Sequence, residues 1–242
     1  MQYNEVLNAL KKDDLASSEM FAMLKAISKL VNDKSNIAKG RDLIIRLLAR
    51  RNLLDAFETR ILTSLVRAVG LYPYMSEVLQ FAEIDDRMAY ELHRPDNMPE
   101  VFHSLQARIY YQLRSGVNVV LSASTSVGKS LVIDAIIALQ KHRKIVIVVP
   151  TLALIDETRK RISRKFRAFC NVITHPTQTA QSGMLNVYVL TQERVKQRID
   201  LSNVDFFVID EFYKLDFKRE DDRAGSGNLH SGDKWNFCLT SA

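Results

Sequence analysis

The amino-acid sequence predicts two domains of different class: an all-α domain over residues 1–95, followed by an α/β domain over residues 100–242. In the first, apolar side chains recur about every 3.6 residues, as over 20–31 and 53–69, which predicts a bundle of amphipathic helices. In the second, short β-branched runs are nearly continuous in apolar residues, which is typical of parallel strands buried on both faces. The segment 94–99 contains two prolines, so we place the domain boundary there.

Four apolar runs predict the strands of the α/β domain. They cover residues 117–121, 144–149, 186–190 and 205–209. Helical stretches lie between them, near 129–142, 151–169 and 191–199. Because strands alternate with helices, we expect an open parallel sheet with right-handed crossovers and helices on both faces.

The composition excludes several classes of protein. A chain of 242 residues of which 47% are hydrophobic can bury an ordinary core, so disordered, collagen-like and fibrous proteins are excluded. The two cysteines, Cys170 and Cys238, are too few for a disulfide framework and predict a reducing, cytoplasmic setting. The N-terminus lacks a basic flank before an apolar core, and no apolar run has the length of a membrane span. We therefore expect neither export nor membrane association.

The positive net charge of +6 arises entirely after residue 99, because the residues before it contain 14 basic and 14 acidic side chains. Much of the excess is concentrated in one predicted helix. Its six cations are Arg159, Lys160, Arg161, Arg164, Lys165 and Arg167. Such a cluster indicates either the solvated face of a helix or a surface that binds phosphates.

A phosphate-binding loop is predicted at 123–130, where the sequence Ala-Ser-Thr-Ser-Val-Gly-Lys-Ser joins the first strand to an apolar helix. Backbone N–H groups and the helix N-terminus would face the β- and γ-phosphates. Lys129 would supply a positive charge, and the hydroxyl of Ser130 could bind Mg²⁺. Ala123 replaces the first glycine of the general pattern. The expected nucleotide-binding residues here are Thr125, Ser126, Val127, Gly128, Lys129 and Ser130.

Two carboxylates, Asp210 and Glu211, follow the last predicted strand. Ligands of parallel α/β sheets bind at the carboxyl ends of the strands. There Asp210 could hold Mg²⁺ through water, and Glu211 could orient or deprotonate an attacking water. The alternative is an acidic cap at the start of a helix. With Lys129, these two residues are our catalytic candidates.

These segments, in this order, resemble the first RecA-like domain of superfamily 2 helicases of the DEAD/DEAH-box type. The resemblance implies a P-loop RecA-like sheet over 100–242, ATP and Mg²⁺ as cofactors, and single-stranded DNA or RNA as a partner. Phe102 and Gln106 stand where this family has an aromatic residue and a glutamine. The Gln106 amide could pair bidentately with adenine. A glutamine on the surface of a helix is the alternative.

Two further segments are similar to family motifs that lie along the nucleic-acid backbone. Pro150 and Thr151 belong to a V-P-T-like segment, and Thr191 to a T-P-E-like segment in which glutamine replaces proline. Arg159 and Lys160, in the helix after the first segment, would add contacts to phosphates. A plain helix cap by Thr191 remains the alternative for the second segment.

The sequence departs from the family pattern at two positions, one in the phosphate loop and one in the carboxylate motif. Ser126 stands where a glycine is usual, which puts loop closure in doubt because serine resists some glycine conformations. Tyr213 replaces the last residue of the D-E-x-D or D-E-x-H motif, which puts in doubt the coupling of hydrolysis to movement. The sequence of residues 210–215 also resembles the corresponding segment of helicase subunits of bacterial antiphage defence operons.

The resemblance places arginine fingers in a second RecA-like domain, for which the residues after 99 leave no room. We therefore expect ATP binding, slow hydrolysis and no translocation from this chain alone, as from a fragment or a subunit that needs a partner. The glycine-rich segment 224–233 does not look like core structure. Residues 239–242 resemble the start of the family's S-A-T motif, with an unrelated or disordered tail over 224–242 as the alternative.

Two other functions remain open. The chain could be a non-catalytic interaction protein, in which the N-terminal helices dock a protein partner and the α/β part is an inactive helicase remnant. It could also be a phosphate-loop ATPase that acts on protein or small molecules. That hypothesis leaves the Pro150 and Thr191 segments unexplained. No His or Cys has metal-ligand spacing, so Mg²⁺ is the one metal that we infer.

Overall fold

The computed structural model describes residues 2–12, 17–78, 84–123, 127–211 and 237–240. Within these ranges the backbone forms ten α-helices, one short 3₁₀ helix and six β-strands. The chain divides into two compact units. The first contains Met1–Pro95 and Pro99–Ala107, and the second contains Asp96–Met98 and Arg108–Ala242.

The first unit is built entirely from helices in its described part. Its helices are α1 (Tyr3–Ala9), α2 (Ser17–Asn32), α3 (Ile37–Leu48), α4 (Ala56–Ala68), α5 (Pro73–Val78) and α6 (Ile84–Leu92), with a 3₁₀ helix at Arg51–Leu53. Helix α2 packs against α3 and α4 through fully buried side chains such as Ile27, Leu43 and Leu62. A capping box fixes the start of α4, because Asp55 and Glu58 each accept the other's backbone N–H.

Residues 99–107 join the first unit through two backbone hydrogen bonds. Phe102 N–H donates to the carbonyl of His93, and Ser104 N–H donates to that of Gly70. Helix α7 (Ser104–Arg114) begins in this segment and continues into the second unit.

The second unit contains a six-stranded sheet in which every pair of neighbours is parallel, in the order β1-β6-β5-β2-β4-β3. Its strands are β1 (Val119–Ser122), β2 (Lys144–Val148), β3 (Cys170–Ile173), β4 (Leu185–Leu190), β5 (Phe206–Ile209) and β6 (Phe237–Thr240). Helices α8 (Lys129–Ala138), α9 (Leu152–Phe166) and α10 (Gln192–Lys196) connect them. The predicted fold class, a helical region followed by a RecA-like α/β sheet, is confirmed.

The strand register aligns the carboxyl ends of three neighbouring strands. Val148 of β2 stands opposite both Leu190 of β4 and Ile209 of β5. Beyond these positions Asp210 N–H still donates to the carbonyl of Val148, at 2.8 Å. The segments that follow the three strands therefore leave the sheet at the same level, which is where the sequence places its candidate motifs.

The sheet has two strands that the sequence pattern did not predict. Strand β3 lies at the sheet edge, and Asn171 leaves only two consecutive apolar residues after it, which is too short a run to indicate a strand. Strand β6 lies between β1 and β5, so part of the 224–242 segment belongs to the sheet rather than to a tail. The remainder of that segment, residues 224–236 and 241–242, lies outside the described residues.

Several predicted elements are shorter in the structure. The first strand begins at Val119 rather than at 117, because Val117 N–H donates to the carbonyl of Gln112 and closes the end of α7. Gly116 supplies the left-handed backbone, with φ 80°, that this helix end requires. Of the helices found in the described ranges, none is long and apolar enough to span a membrane.

Candidate nucleotide-binding site

The phosphate-loop lysine lies buried at the start of α8. Its ammonium donates a hydrogen bond to the carbonyl of Ala123, the residue after β1, at 3.1 Å. Gly128 caps the helix with φ 73°, a left-handed conformation that glycine adopts without the steric cost of a side chain. Ser130 is exposed in the first turn. A cation, a hydroxyl and a helix N-terminus therefore lie together at the carboxyl end of β1.

Asp210 lies at the same edge of the sheet, after β5. Burial raises the pKa of its carboxyl, whereas the positive charge of Lys129 opposes this shift. The charges of Glu211 and Arg161 also act on it, the first raising and the second lowering the pKa. The structure thus brings Lys129, Asp210 and Glu211 together at this edge, and their catalytic role stays a prediction.

These residues fit a Mg²⁺ ion that is completed by phosphate oxygens. No cluster of three or more His, Cys, Asp or Glu side chains that could hold a metal occurs among the described residues. A site with one carboxylate, Asp210, and one hydroxyl, Ser130, suits Mg²⁺, because this ion usually binds through one or two protein oxygens together with substrate phosphates.

Glu211 has an unusual backbone conformation. Its φ of 51° is left-handed, which is uncommon for a residue with a side chain. Such conformations cost energy and occur often at functional sites. The turn that orients Glu211 is therefore held by its surroundings rather than by its own preference, which accords with a constrained role at this edge.

Two predicted loop residues, Thr125 and Ser126, lie outside the described residues, as does Tyr213. Val127 and Gly128 are described and lead directly into α8. The effect of serine on loop closure thus stays a prediction.

Gln106 lies in the first turn of α7 and is 4% exposed. The alternative of a glutamine on the helix surface is therefore wrong. Its side-chain oxygen accepts a hydrogen bond from the backbone N–H of His103 at 2.9 Å, which is one half of a capping box. Pairing of the Gln106 amide with adenine therefore stays a prediction.

The two segments with resemblance to nucleic-acid motifs differ in accessibility. Thr151 is exposed and caps α9, since its hydroxyl accepts the N–H of Leu154 at 3.3 Å. Pro150 is half-buried beside it. Thr191 is buried before α10, and its side chain makes no capping hydrogen bond, so the alternative of a plain side-chain cap is not supported.

Two aspartates pair with four of the six cations of the basic cluster. Arg159 and Lys160 each contact Asp156 at 2.6 Å, within the same helix. Asp134, on α8, pairs with both Arg161 and Lys165. Arg164 and Arg167 are exposed and form no ion pair with the described residues. The surface available to phosphates is therefore less positive than the sequence pattern indicated.

The pair of Asp134 and Arg161 was missed by the sequence analysis, although it lies close to the phosphate loop. One feature could have revealed it. Asp134 is the single acidic residue of α8, whose other residues after Ser130 are all apolar, and a buried carboxylate requires a partner. The sequence could not identify which cation provides it.

Cys170 is buried in β3, and burial raises the pKa of its thiol to about 12. Because the thiolate is the reactive form, a raised pKa removes reactivity at pH 8. We expect alkylation by iodoacetamide at least ~100-fold slower in the folded than in the urea-unfolded chain. A Cys238→Ser background isolates this thiol. Equal rates in the two states would contradict the burial of Cys170.

Comparison with known proteins agrees with this geometry. Residues 103–242, more than half of the chain, match the DEAD/DEAH box helicase family, and the chain therefore belongs to that family. Residues 1–87 match the Anti-bacteriophage protein B N-terminal domain. The chain is similar to Anti-bacteriophage protein B of Escherichia coli (strain K12), with 42% identity over 218 residues. This alignment covers 90% of the chain but 29% of that relative, so the chain spans less than a third of its length.

Proposed function

We propose that this chain is the ATP-binding and nucleic-acid-binding N-terminal part of a DEAD/DEAH box helicase that acts in defence against bacteriophage. The observation that carries the proposal is the convergence of Lys129, Ser130 and Asp210 at the carboxyl edge of the sheet. The match of residues 103–242 supports the nucleotide chemistry, and the similarity to Anti-bacteriophage protein B supports the defence role.

In this proposal each motif residue has one task. Gln106 reads adenine, and the 125–130 loop with Lys129 binds the phosphates. Ser130 and Asp210 hold Mg²⁺, which when bound neutralises phosphate charge. Glu211 orients the attacking water. The resemblance assigns the arginine fingers to a second RecA-like domain, so the 242-residue chain should bind ATP but hydrolyse it slowly until such a domain or partner subunit is supplied.

Nucleic acid would bind along the segments that follow β2 and β4. Pro150, Thr151 and Thr191 would lie against the backbone, with Arg159 and Lys160 near its phosphates. Since Asp156 already pairs with both cations, phosphate contacts there require exchange of ion-pair partners. We therefore expect modest affinity for single strands, falling with salt.

A second candidate is a non-catalytic interaction protein, and one observation agrees with it. Three apolar side chains of α6, spaced four residues apart, are strongly exposed: Ile84 at 76%, Met88 at 59% and Leu92 at 61%. Exposed apolar stripes of this kind are typical of docking surfaces. A protein partner on the helical unit is compatible with either candidate, so nucleotide binding is the property that separates them.

The test uses a fluorescent ATP analogue titrated onto the 242-residue chain with Mg²⁺ or with EDTA. Binding of labelled single-stranded DNA and RNA is followed in the same samples at two salt concentrations. We expect Mg²⁺-enhanced nucleotide binding, salt-sensitive strand binding and little turnover. A folded chain that binds no nucleotide would exclude the helicase proposal and favour the interaction protein.

A further inference from the structure

Helices α8 and α9 are connected by a buried carboxylate. Asp134 lies on the face of α8 that packs into the protein, and both of its oxygens pair with cations of α9. Arg161 contacts one oxygen, and Lys165 contacts the other at 3.0 Å. Because a buried carboxylate without counter-charges is costly, this link fixes the two helices to each other.

Arg161 makes a second contact that concerns the phosphate loop directly. The same guanidinium nitrogen that pairs with Asp134 donates to the backbone carbonyl of Ser130 at 3.2 Å. Ser130 lies one helical turn before Asp134, so the side chain of Arg161 spans the first turn of α8. Its contact holds the backbone of the residue whose hydroxyl is the candidate Mg²⁺ ligand.

The charge of Arg161 also reaches the second candidate ligand. Arg161 and Asp210 interact electrostatically, each favouring the charged form of the other. One side chain of α9 is thus in contact with Ser130 and near Asp210. Lys165 differs from it, because it shares Asp134 but lies one turn further along α9, away from the loop.

We propose that Arg161 is a positioning residue that holds Ser130 and Asp210 in the geometry that Mg²⁺-nucleotide requires. The inference rests on the proposed ATP-binding function. Arg161 does not touch the nucleotide in this proposal, and acts through the carbonyl of Ser130 and the carboxylate of Asp134. Residues that orient metal ligands in this way typically change metal affinity by about 10- to 100-fold when they are replaced.

The planar guanidinium is what the position needs, because it can bond a carbonyl and a carboxylate at once. Lysine would keep the charge and a contact with Asp134, but its single ammonium would not reproduce the fixed geometry. Arg161→Lys therefore separates positioning from charge. If charge alone mattered, this variant would bind nucleotide as the unchanged chain does.

The experiment measures the dissociation constant of a fluorescent ATP analogue with Mg²⁺ and with EDTA, for the unchanged chain, Arg161→Lys and Lys165→Met. The ratio of the two constants is the Mg²⁺ enhancement. We expect the Mg²⁺ enhancement of Arg161→Lys to be about tenfold smaller than that of the unchanged chain, whereas its dissociation constant in EDTA should change less than ~2-fold. Lys165→Met should keep the full enhancement. Circular dichroism checks that each variant is folded.

Each other outcome has a definite meaning. Retention of the enhancement by Arg161→Lys, or an equal loss in Lys165→Met, overturns the positioning role and leaves the ATP-binding proposal intact. Absence of nucleotide binding in the unchanged chain overturns both. If Arg161→Lys is unfolded, Arg161→Gln takes its place, because its amide can still bond Asp134, and the same loss is expected.

Discussion

Replacing Lys129 by alanine is expected to weaken binding of Mg²⁺-ATP by about 100-fold, which corresponds to about 2.7 kcal/mol. The lysine is buried at the start of α8, where its ammonium donates a hydrogen bond to the carbonyl of Ala123. Phosphates would offer charged acceptors in its place, and hydrogen bonds to charged groups are the stronger ones. Titration of a fluorescent ATP analogue measures the loss.

Lys141→Ala is the matched control for this substitution. Lys141 is an exposed cation of the same unit, located before β2 and thus at the opposite end of the strands from the phosphate loop. Its removal changes the net charge equally and should change the affinity less than ~2-fold. An equal loss in both variants would show that general electrostatic attraction, rather than the loop, binds the nucleotide.

Replacing Arg198 by methionine is expected to lower the free energy of unfolding of the α/β unit by about 2 to 3 kcal/mol. The Arg198 side chain is 5% exposed and forms a two-pronged ion pair with Asp200, at 2.7 and 2.8 Å. It also donates to the carbonyls of His175 and Gln178, at 2.9 Å each. Its loss leaves these acceptors without their charged donor.

Urea unfolding, followed by amide hydrogen exchange in peptides that contain β4, measures the free energy of unfolding of the α/β unit. Lys196→Met is the control, because Lys196 is exposed on the neighbouring α10, and its replacement should change stability by less than ~0.5 kcal/mol. If the Arg198→Met variant were as stable as the unchanged chain, water would have to replace the contacts of Arg198 without loss of stability, which would contradict this prediction.

The sequence was most informative where function and fold depend on the same local pattern. Apolar strands followed by Gly128-Lys129 and by Asp210-Glu211 predicted both the parallel sheet and the edge at which these residues meet. Parallel strands align their carboxyl ends, so knowing the strands was sufficient to place the residues after them.

The contacts that the sequence did not predict depend on residues distant in the chain. Asp134 and Arg161 are brought together by the packing of α8 on α9, and no spacing rule relates them. The burial of Gln106 was not predicted either, since periodicity alone does not distinguish a buried from an exposed polar position. Strand β6 was not predicted because its apolar run, 237–239, is only three residues long and follows the glycine-rich segment 224–233.

The position of β6 has a consequence for how the site is assembled in time. In the described sheet, β1 pairs with β6, and β6 in turn pairs with β5. The strand that carries the phosphate loop is therefore made early but enters the sheet only after Phe237–Thr240 has been synthesised. At typical translation rates this interval is on the order of ten seconds. In its last part, after residue 210 has been added, the nascent chain contains both Lys129 and Asp210 but not yet the strand that joins β1 to β5.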